Sequence, residues 1–318
     1  MRYGRHMSET SLNYKAGYDD KGAFVRRDSA FRRWVSADGS SEFPAEAGRY
    51  HLYVSLACPW AHRTVIMRRL KGLEDVISLS VVDPIRDARG WAFRDVAGAQ
   101  LDPVNGFDFL SQAYMATEAG YDGNVTVPVL WDKATGQIVN NESSEVIRML
   151  NAAFDAFTPG TDDYYPAELR DEIDQVNARV YPTVNNGVYR CGFARSQGAY
   201  ERAFGELFES LDWLEERLSS RRYLCGDRLT EADWRLFTTL LRFDAVYVGH
   251  FKTNRNRIVD MPNLWAYARE LYQWPGVAET VNWDHIKRHY YVTHTSINPS
   301  GIVPLGPRTD WTVPHGRG

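Results

Sequence analysis

A cysteine directly before a proline marks the junction between a predicted strand and a predicted helix, and this junction constrains the fold most. Residues 50–56 alternate in polarity and are rich in aromatic and β-branched side chains, which is typical of a strand. Residues 59–71 have the spacing of an amphipathic helix. Pro59 suits the first helical position, where a missing N–H costs nothing, so Cys58 lies at or next to the N-cap.

The position of Cys58 predicts a reactive thiol. A sulfur at a helix start faces unpaired N–H groups and the positive end of the helix dipole, and both favour the thiolate over the thiol. The alternative is a buried, inert cysteine that only packs. The two other cysteines of the chain, Cys191 and Cys225, are interpreted as packing residues.

Strands and helices follow the junction in a definite order. A second strand is predicted at 75–83, two short strands at 125–132 and 137–140, and a helix at 142–154. In this β-α-β, β-β-α order the first two strands are parallel neighbours, and a tight turn makes the last two antiparallel. The interruption at 84–124 is too aromatic for disorder, and its length indicates a function.

The second half of the chain is predicted to be helical, which divides the molecule into four parts. The segment "AFGELFESLDWLEERL" places its apolar residues on one helix face. We expect an extended N-terminal arm at 1–44, an α/β domain at 45–157, an all-helical domain at 165–290 and an irregular tail at 291–318. The first six residues precede a second methionine and are left out of the fold prediction.

Composition narrows the class of protein. The net charge of −4 gives no electrostatic reason to expect nucleic acid, and no apolar run approaches the ~18 residues of a membrane span. Three cysteines without a C-x-x-C pair fit a reducing compartment. We therefore expect a cytoplasmic protein that binds neither nucleic acid nor membrane. The basic clusters "VRRDSAFRRW" and "MRRLKG" are interpreted as solvated faces.

Two further features could belong to a binding site. Val127-Pro128 opens a strand, where either an ordinary edge proline or a cis bond that turns the backbone towards a peptide-like ligand is possible. Glu142-Ser143 stands at a helix start, where Ser143 is a natural capping residue and free N–H groups bind carboxylates. Plain capping is the alternative for this pair.

Seven ordered segments between about residue 40 and residue 300 carry a family resemblance: "CPWAHR", "GWAF", "TVPVLWD", "NNESSEVIRM", "YPTVNNGVYR", "RFDAVYVGHFK" and "IKRHYY". With them the chain resembles the glutathionyl-hydroquinone reductases, the Xi class of the glutathione transferase superfamily. The resemblance implies a fold of α/β plus all-α class, with a thioredoxin-like N-terminal domain and a C-terminal helical domain. It also implies a homodimer that uses glutathione as co-substrate and no metal.

The resemblance also assigns roles to single residues. Cys58 is the nucleophile, and Tyr189 is the proton donor or acceptor. Tyr247 and Tyr290 are hydroxyls that favour the thiolate, and Tyr291 competes with Tyr290 for that place. The residues expected to hold glutathione are Trp91, Val127, Pro128, Glu142 and Ser143. We expect His62, one turn into the Cys58 helix, to be structural rather than a base.

These roles imply reduction of glutathionyl-hydroquinones to hydroquinones, with oxidised glutathione released by way of a Cys58-glutathione mixed disulfide. The nearest alternative is an omega-like thioltransferase or dehydroascorbate reductase, which shares the cysteine but does not need Tyr189. A non-enzymatic binding protein with the same fold is the alternative from a different class.

Overall fold

The computed structural model describes residues 17–158 and 160–317. The predicted arm lies partly outside the described residues, which leave out 1–16. Its described part contains a short antiparallel pair, β1 (Gly17–Tyr18) and β2 (Phe24–Val25), and a short parallel pair, β3 (Val35–Ser36) and β4 (Phe43–Pro44). Between these pairs the arm forms backbone hydrogen bonds with the edge of the main sheet, as in Arg33 N–H to the Val139 carbonyl at 3.0 Å.

The α/β domain is built on a four-stranded sheet. Its elements are β5 (Tyr50–Val54), α1 (Pro59–Leu70), β6 (Ser78–Val81), α2 (Ser111–Thr117), β7 (Val129–Asp132), β8 (Gln137–Asn140) and α3 (Ser143–Ala152). The strand order is β6-β5-β7-β8, with β5 parallel to β6 and antiparallel to β7, and β7 antiparallel to β8. The predicted parallel and antiparallel pairs are confirmed, and the fold is thioredoxin-like.

The long interruption between β6 and β7 is ordered by buried aromatic side chains. Trp91 and Phe93 are buried in the core, and the short helix α2, which the sequence reading did not predict, buries Tyr114. The backbone of Phe93 donates to the Asp108 carbonyl at 2.9 Å, which ties the two ends of this segment together. The interruption is therefore a folded loop, and it brings Trp91 towards the cysteine.

The C-terminal half is helical, as predicted. Its α-helices are α4 (Arg170–Val180), α5 (Gly187–Gly192), α6 (Gln197–Ser220), α7 (Glu231–Arg242), α8 (Val248–His250), α9 (Pro262–Tyr272) and α10 (Trp283–Thr293). Two π-helical turns, Tyr181–Asn185 and Phe243–Tyr247, interrupt them, and short 3-10 turns lie at Asp155–Phe157, Ala167–Leu169, Ile258–Asp260 and Ala278–Thr280. The last helix extends past the expected domain boundary at 290.

Helix α7 forms the seam between the two halves. All of its residues from Glu231 to Arg242 are buried, and it packs against α1, the helix that begins behind Cys58. Asp233 accepts a hydrogen bond from the Thr230 backbone at 2.8 Å, so a capping box with Asp in place of the usual Glu or Gln starts this helix. Among the described residues no helix has the length and apolar character needed to span a membrane.

Candidate active site

Cys58 occupies the N-cap of α1. Its backbone is extended, with φ −78° and ψ 122°, and Pro59 is the first helical residue, as the sequence predicts. No side chain caps this helix end. The thiol donates a long hydrogen bond to the Val127 carbonyl, at 3.7 Å from Sγ. Strand β5 and helix α1 therefore hold the sulfur against the backbone that precedes β7.

The sulfur faces a mainly apolar cleft between the two halves of the molecule, named here the thiol cavity. The cleft measures about 600 Å³ including its open mouth. The structure brings five of the predicted site residues together on its walls: Cys58, Trp91, Val127, Tyr189 and Tyr290. Aromatic rings dominate the walls, so the cleft has the shape and polarity to receive a flat ring beside the sulfur.

Three tyrosines form a hydrogen-bonded chain at the thiol cavity. The hydroxyl of Tyr290 lies 2.6 Å from that of Tyr189 and 3.0 Å from that of Tyr247. Tyr247 ends a π-helical turn and is fully buried, and it is not part of the cavity wall. Burial raises the pKa of all three hydroxyls, which stay protonated at neutral pH.

The choice between two adjacent tyrosines follows from the same geometry. Tyr290 lines the thiol cavity and belongs to the tyrosine chain. Tyr291 instead donates to the Ala245 carbonyl at 3.4 Å and is not part of the cavity wall.

A second, more polar cavity adjoins the first and is named here the arm cavity. Its walls include Pro128, Glu142 and Ser143 together with Arg26 and Ser29 of the arm. It shares Trp60 and Val127 with the thiol cavity, so the two lie side by side. The bond between Val127 and Pro128 is cis, which decides between the two readings of this proline left open by the sequence.

Glu142, not Ser143, caps helix α3. The Glu142 carboxylate accepts from the Ser144 backbone at 3.1 Å, while Ser143 is the first helical residue. The capping expectation for Ser143 is wrong because a carboxylate one residue earlier takes the cap. Burial alone would raise the pKa of Glu142, but the hydrogen bonds from Ser144 and Ser29 lower it, so this carboxylate stays ionised in the arm cavity.

Two opposing effects act on the Cys58 thiol. Burial raises its pKa above the ordinary value, whereas the Ala61 backbone N–H and the charge of Arg242 lower it. The helix-start position of Cys58, from which a reactive thiol was predicted, accounts only for the effects that favour the thiolate. The balance lies with the thiol, which agrees with its hydrogen bond to the Val127 carbonyl.

The arm contributes residues that sequence reasoning missed. Arg26 lies over the rings of Trp60 at 4.8 Å and Tyr189 at 4.9 Å, and donates to Asn186 at 2.8 Å. The interpretation of "VRRDSAFRRW" as a solvated face is therefore wrong for this residue, because facing rings and an amide hold the guanidinium between the domains. No periodicity in the arm signals these contacts.

The other candidate groups are structural. His62 is buried, with Nδ1 at 3.2 Å from Arg242 and Nε2 at 2.8 Å from the Thr280 hydroxyl. Because the arginine donates to Nδ1, Nε2 carries the proton, and burial keeps the ring neutral by lowering its pKa well below the usual value. Cys191 and Cys225 are buried, and burial raises the pKa of each thiol to about 12.

A thioredoxin-like domain joined to an all-helical domain is the architecture of the glutathione transferases. Family profiles agree: the profile described as "Glutathione S-transferase, N-terminal domain" matches residues 57–153. The profile described as "Glutathione S-transferase, C-terminal domain" matches residues 197–270.

Individual relatives narrow the assignment to one class. The chain is 55% identical to glutathionyl-hydroquinone reductase YqjG of Escherichia coli, over 94% of each chain. It is 55% identical to glutathionyl-hydroquinone reductase PcpF of Sphingobium chlorophenolicum, over 92% of this chain and 93% of that protein. The chain belongs to the Xi class of glutathione transferases.

Solved structures agree with this assignment. The YqjG structure, determined with glutathione bound, superposes with a TM-score of 0.89 at 55% identity and covers 91% of this chain and 96% of that one. The glutathione transferase Xi of Phanerochaete chrysosporium superposes with a TM-score of 0.92 at 50% identity and covers 96% of this chain and 99% of that one.

Proposed function

We propose that this protein is a glutathionyl-hydroquinone reductase, which uses glutathione to convert glutathionyl-hydroquinones to hydroquinones. The observation that carries the proposal is the thiol cavity, where Cys58 shares an aromatic cleft with the hydrogen-bonded pair Tyr189 and Tyr290. A nucleophile and a hydroxyl acid on the walls of one ring-sized cleft are the groups that this reaction needs.

The two adjoining cavities bind different parts of the substrate. In the arm cavity the Glu142 carboxylate suits the amino group of the γ-glutamyl end, and Ser143 and the cis Val127-Pro128 segment line the path to the sulfur. The thiol cavity then receives the ring, with Trp91 on one wall. Glutathione is thus held so that its sulfur meets Cys58.

The chemistry requires an acid as well as a nucleophile. The Cys58 thiolate attacks the glutathionyl sulfur, the carbon–sulfur bond breaks, and its electron pair leaves with the ring. An aryl carbanion is too unstable to leave. The ring carbon that bears sulfur must first gain a proton while a ring hydroxyl loses one, so that the electron pair is taken up as an enolate. A tyrosine of raised pKa suits this transfer, and Tyr189 is placed on the cavity wall for it.

A second glutathione completes the cycle. The first step leaves glutathione bound to Cys58 as a mixed disulfide and gives hydroquinone once the enolate oxygen is protonated. No second cysteine lies at C-x-x-C spacing, so an external glutathione thiolate attacks the mixed disulfide and frees Cys58. Overall, one thioether and one glutathione thiol give one hydroquinone and one disulfide. The ring carbon exchanges its bond to sulfur for a bond to hydrogen, a two-electron reduction, and the two sulfur atoms supply those electrons as they form the disulfide.

Positioning of the reacting atoms contributes more to the reaction rate than the acidity of the Cys58 thiol does. Lowering a thiol pKa from ~8.5 to ~6 raises the thiolate fraction at neutral pH about thirtyfold, but it lowers nucleophilicity about tenfold. The net gain is small. Most of the rate therefore comes from holding the two sulfur atoms and the ring in attack geometry.

Steady-state turnover of a glutathionyl-hydroquinone and of a simple glutathione mixed disulfide tests the proposed function. We expect hydroquinone and oxidised glutathione to form in equal amounts from the thioether. A protein that reduces only the mixed disulfide is an omega-like thioltransferase, and one that reduces neither is a binding protein. Either result would overturn the proposal.

Glu142→Gln should weaken glutathione binding by about tenfold or more, because a hydrogen bond to a charged group contributes ~1.5–3 kcal/mol. The amide keeps an oxygen that can cap α3 at Ser144, so the fold is retained while the charge is lost. Calorimetric titration with glutathione measures the effect. Alkylation of Cys58 serves as the control and should stay at the parent rate. Unchanged glutathione affinity would remove Glu142 from the binding site.

The compartment, the assembly and the domain organisation of the enzyme are also part of the proposal. Three free cysteines support a reducing compartment, the cytoplasm. The homodimer implied by the family resemblance is retained as the proposed assembly. The division into an arm, a glutathione-binding domain, a helical domain and a tail is likewise retained as a proposal.

A further inference from the structure

Arg242 is a fully buried guanidinium at the seam between the domains. It is the last residue of α7 and has no exposed surface. Its nitrogen atoms donate to the carbonyls of Leu56 at 3.0 Å, Ala57 at 2.8 Å and Thr238 at 2.8 Å, and to His62 Nδ1 at 3.2 Å. All four acceptors are neutral, and no ion pair with Arg242 occurs within the described part of the chain.

A buried cation without a counter-ion is costly, because dipoles only partly replace its lost hydration. Arg242 is nevertheless buried here. Two of the carbonyl groups to which it donates, those of Leu56 and Ala57, immediately precede Cys58 in the chain. The guanidinium is thus hydrogen-bonded to the backbone that positions the sulfur. An anion at Cys58 would supply the charge that the hydrogen-bond partners of Arg242 lack.

We infer that Arg242 is a positioning residue that serves as the counter-charge for the Cys58 thiolate, presented by the helical domain across the seam. The inference rests on the proposed function only in taking Cys58 as the nucleophile. It explains why the sulfur site is completed by a helix of the other domain rather than by α1 alone. The charge of Arg242 also lowers the pKa of Cys58 against the effect of burial, which agrees with this geometry.

Other groups near the sulfur do not replace Arg242. The charged or titratable groups on the cavity side are the tyrosine chain, Arg26, Arg86, His289 and His294. Burial raises the pKa of each tyrosine and lowers those of the histidines, to about 3 for His289 and well below the usual value for His294, so these groups are neutral. Arg26 lowers the pKa of Cys58 less than Arg242 does. Arg86 lies over the Trp91 ring at 5.6 Å and is not among the main groups that lower the pKa of Cys58.

The test is the pH dependence of Cys58 alkylation by iodoacetamide, measured on the full chain without glutathione. Arg242→Gln should raise the apparent pKa by about one unit or more, the usual effect of losing a nearby opposite charge. At pH values below the apparent pKa of the parent, Cys58 in Arg242→Gln should then be alkylated about tenfold more slowly than in the parent. Arg242→Lys keeps the charge but not the full set of hydrogen bonds, and its profile should stay close to that of the parent.

Arg63→Gln is the matched control. Arg63 is another buried guanidinium at the seam, and its partners are the neutral groups of Asn185 at 3.0 Å, the Arg235 carbonyl at 3.1 Å and the Ser143 hydroxyl at 3.3 Å. The Arg63→Gln substitution should lower the free energy of unfolding without moving the pH profile of Cys58 alkylation. Cys191 and Cys225 contribute little to the signal because burial raises the pKa of each to about 12.

Two results would overturn the inference: a parent-like profile in Arg242→Gln, or an equal shift in Arg242→Lys and Arg242→Gln, which would indicate a purely structural role. If Arg242→Gln does not fold, Arg242→Met replaces it as the charge-free variant, and a raised pKa in Arg242→Lys would by itself contradict the counter-charge. The measurement uses no hydroquinone, so it stands apart from the test of the proposed reaction.

Discussion

Cys58→Ser should lower turnover of both a glutathionyl-hydroquinone and a glutathione mixed disulfide by about four orders of magnitude or more, the scale on which loss of an enzyme nucleophile acts. Both reactions begin with attack by the Cys58 sulfur. A serine hydroxyl is a weak nucleophile at its ordinary pKa, and His62, one turn into the same helix, does not serve as its base because both ring nitrogens are engaged by Arg242 and Thr280.

Cys225→Ser is the matched control for the nucleophile. Cys225 is buried in the helical domain away from both cavities, and its loss should leave turnover close to the parent. Glutathione binding by Cys58→Ser, followed by calorimetry, should also persist, because the arm cavity is unchanged. Substantial turnover by Cys58→Ser would mean that glutathione itself attacks the substrate sulfur and that Cys58 is not the nucleophile.

Tyr189→Phe should slow reduction of a glutathionyl-hydroquinone by about a hundredfold or more, the usual scale of a lost general acid. It should leave reduction of a small glutathione mixed disulfide within a few-fold of the parent, because a thiolate leaves without prior protonation. Phenylalanine keeps the ring that stacks on Trp60 at 6.1 Å, so the wall of the thiol cavity is retained. Steady-state kinetics with the two substrates measures the difference.

Controls on neighbouring tyrosines sharpen this experiment. Tyr291→Phe removes a hydroxyl that bonds the Ala245 carbonyl outside the cavity wall, and both substrates should react at the parent rate. An equal loss on both substrates in Tyr189→Phe would assign Tyr189 to glutathione binding or to the thiolate environment. Loss on neither would assign the proton to Tyr290 or water.

Local sequence patterns predicted the α/β domain well. The strand, cysteine, proline and helix at 50–71 are a short-range signal, and the N-cap position of Cys58 followed directly from Pro59. Parallel pairing of β5 with β6 followed from the handedness of the crossover. The short helix at Ser111–Thr117 escaped prediction because its sequence has too few apolar repeats to show a period.

Contacts between distant parts of the chain were beyond the sequence patterns. Arg26 looked like one charge in a basic run, and only the facing ring of Tyr189 and the amide of Asn186 give it a place in the site. Arg242 occupies one position of an amphipathic helix, and its burial depends on the packing of α7 against α1. Glu142 rather than Ser143 became the cap because the choice between neighbouring oxygens is made by backbone angles.

The N-terminal arm has a consequence for the order in which the molecule is assembled. Ser29 donates to Glu142, 113 residues later in the chain, and Arg26 donates to Asn186, 160 residues later. Synthesis proceeds from the N-terminus, so the arm leaves the ribosome long before its partners do. The arm can take its place at the site only after Asn186 has been made. The cavity wall that carries Tyr290 is added later still, with the last helix of the chain.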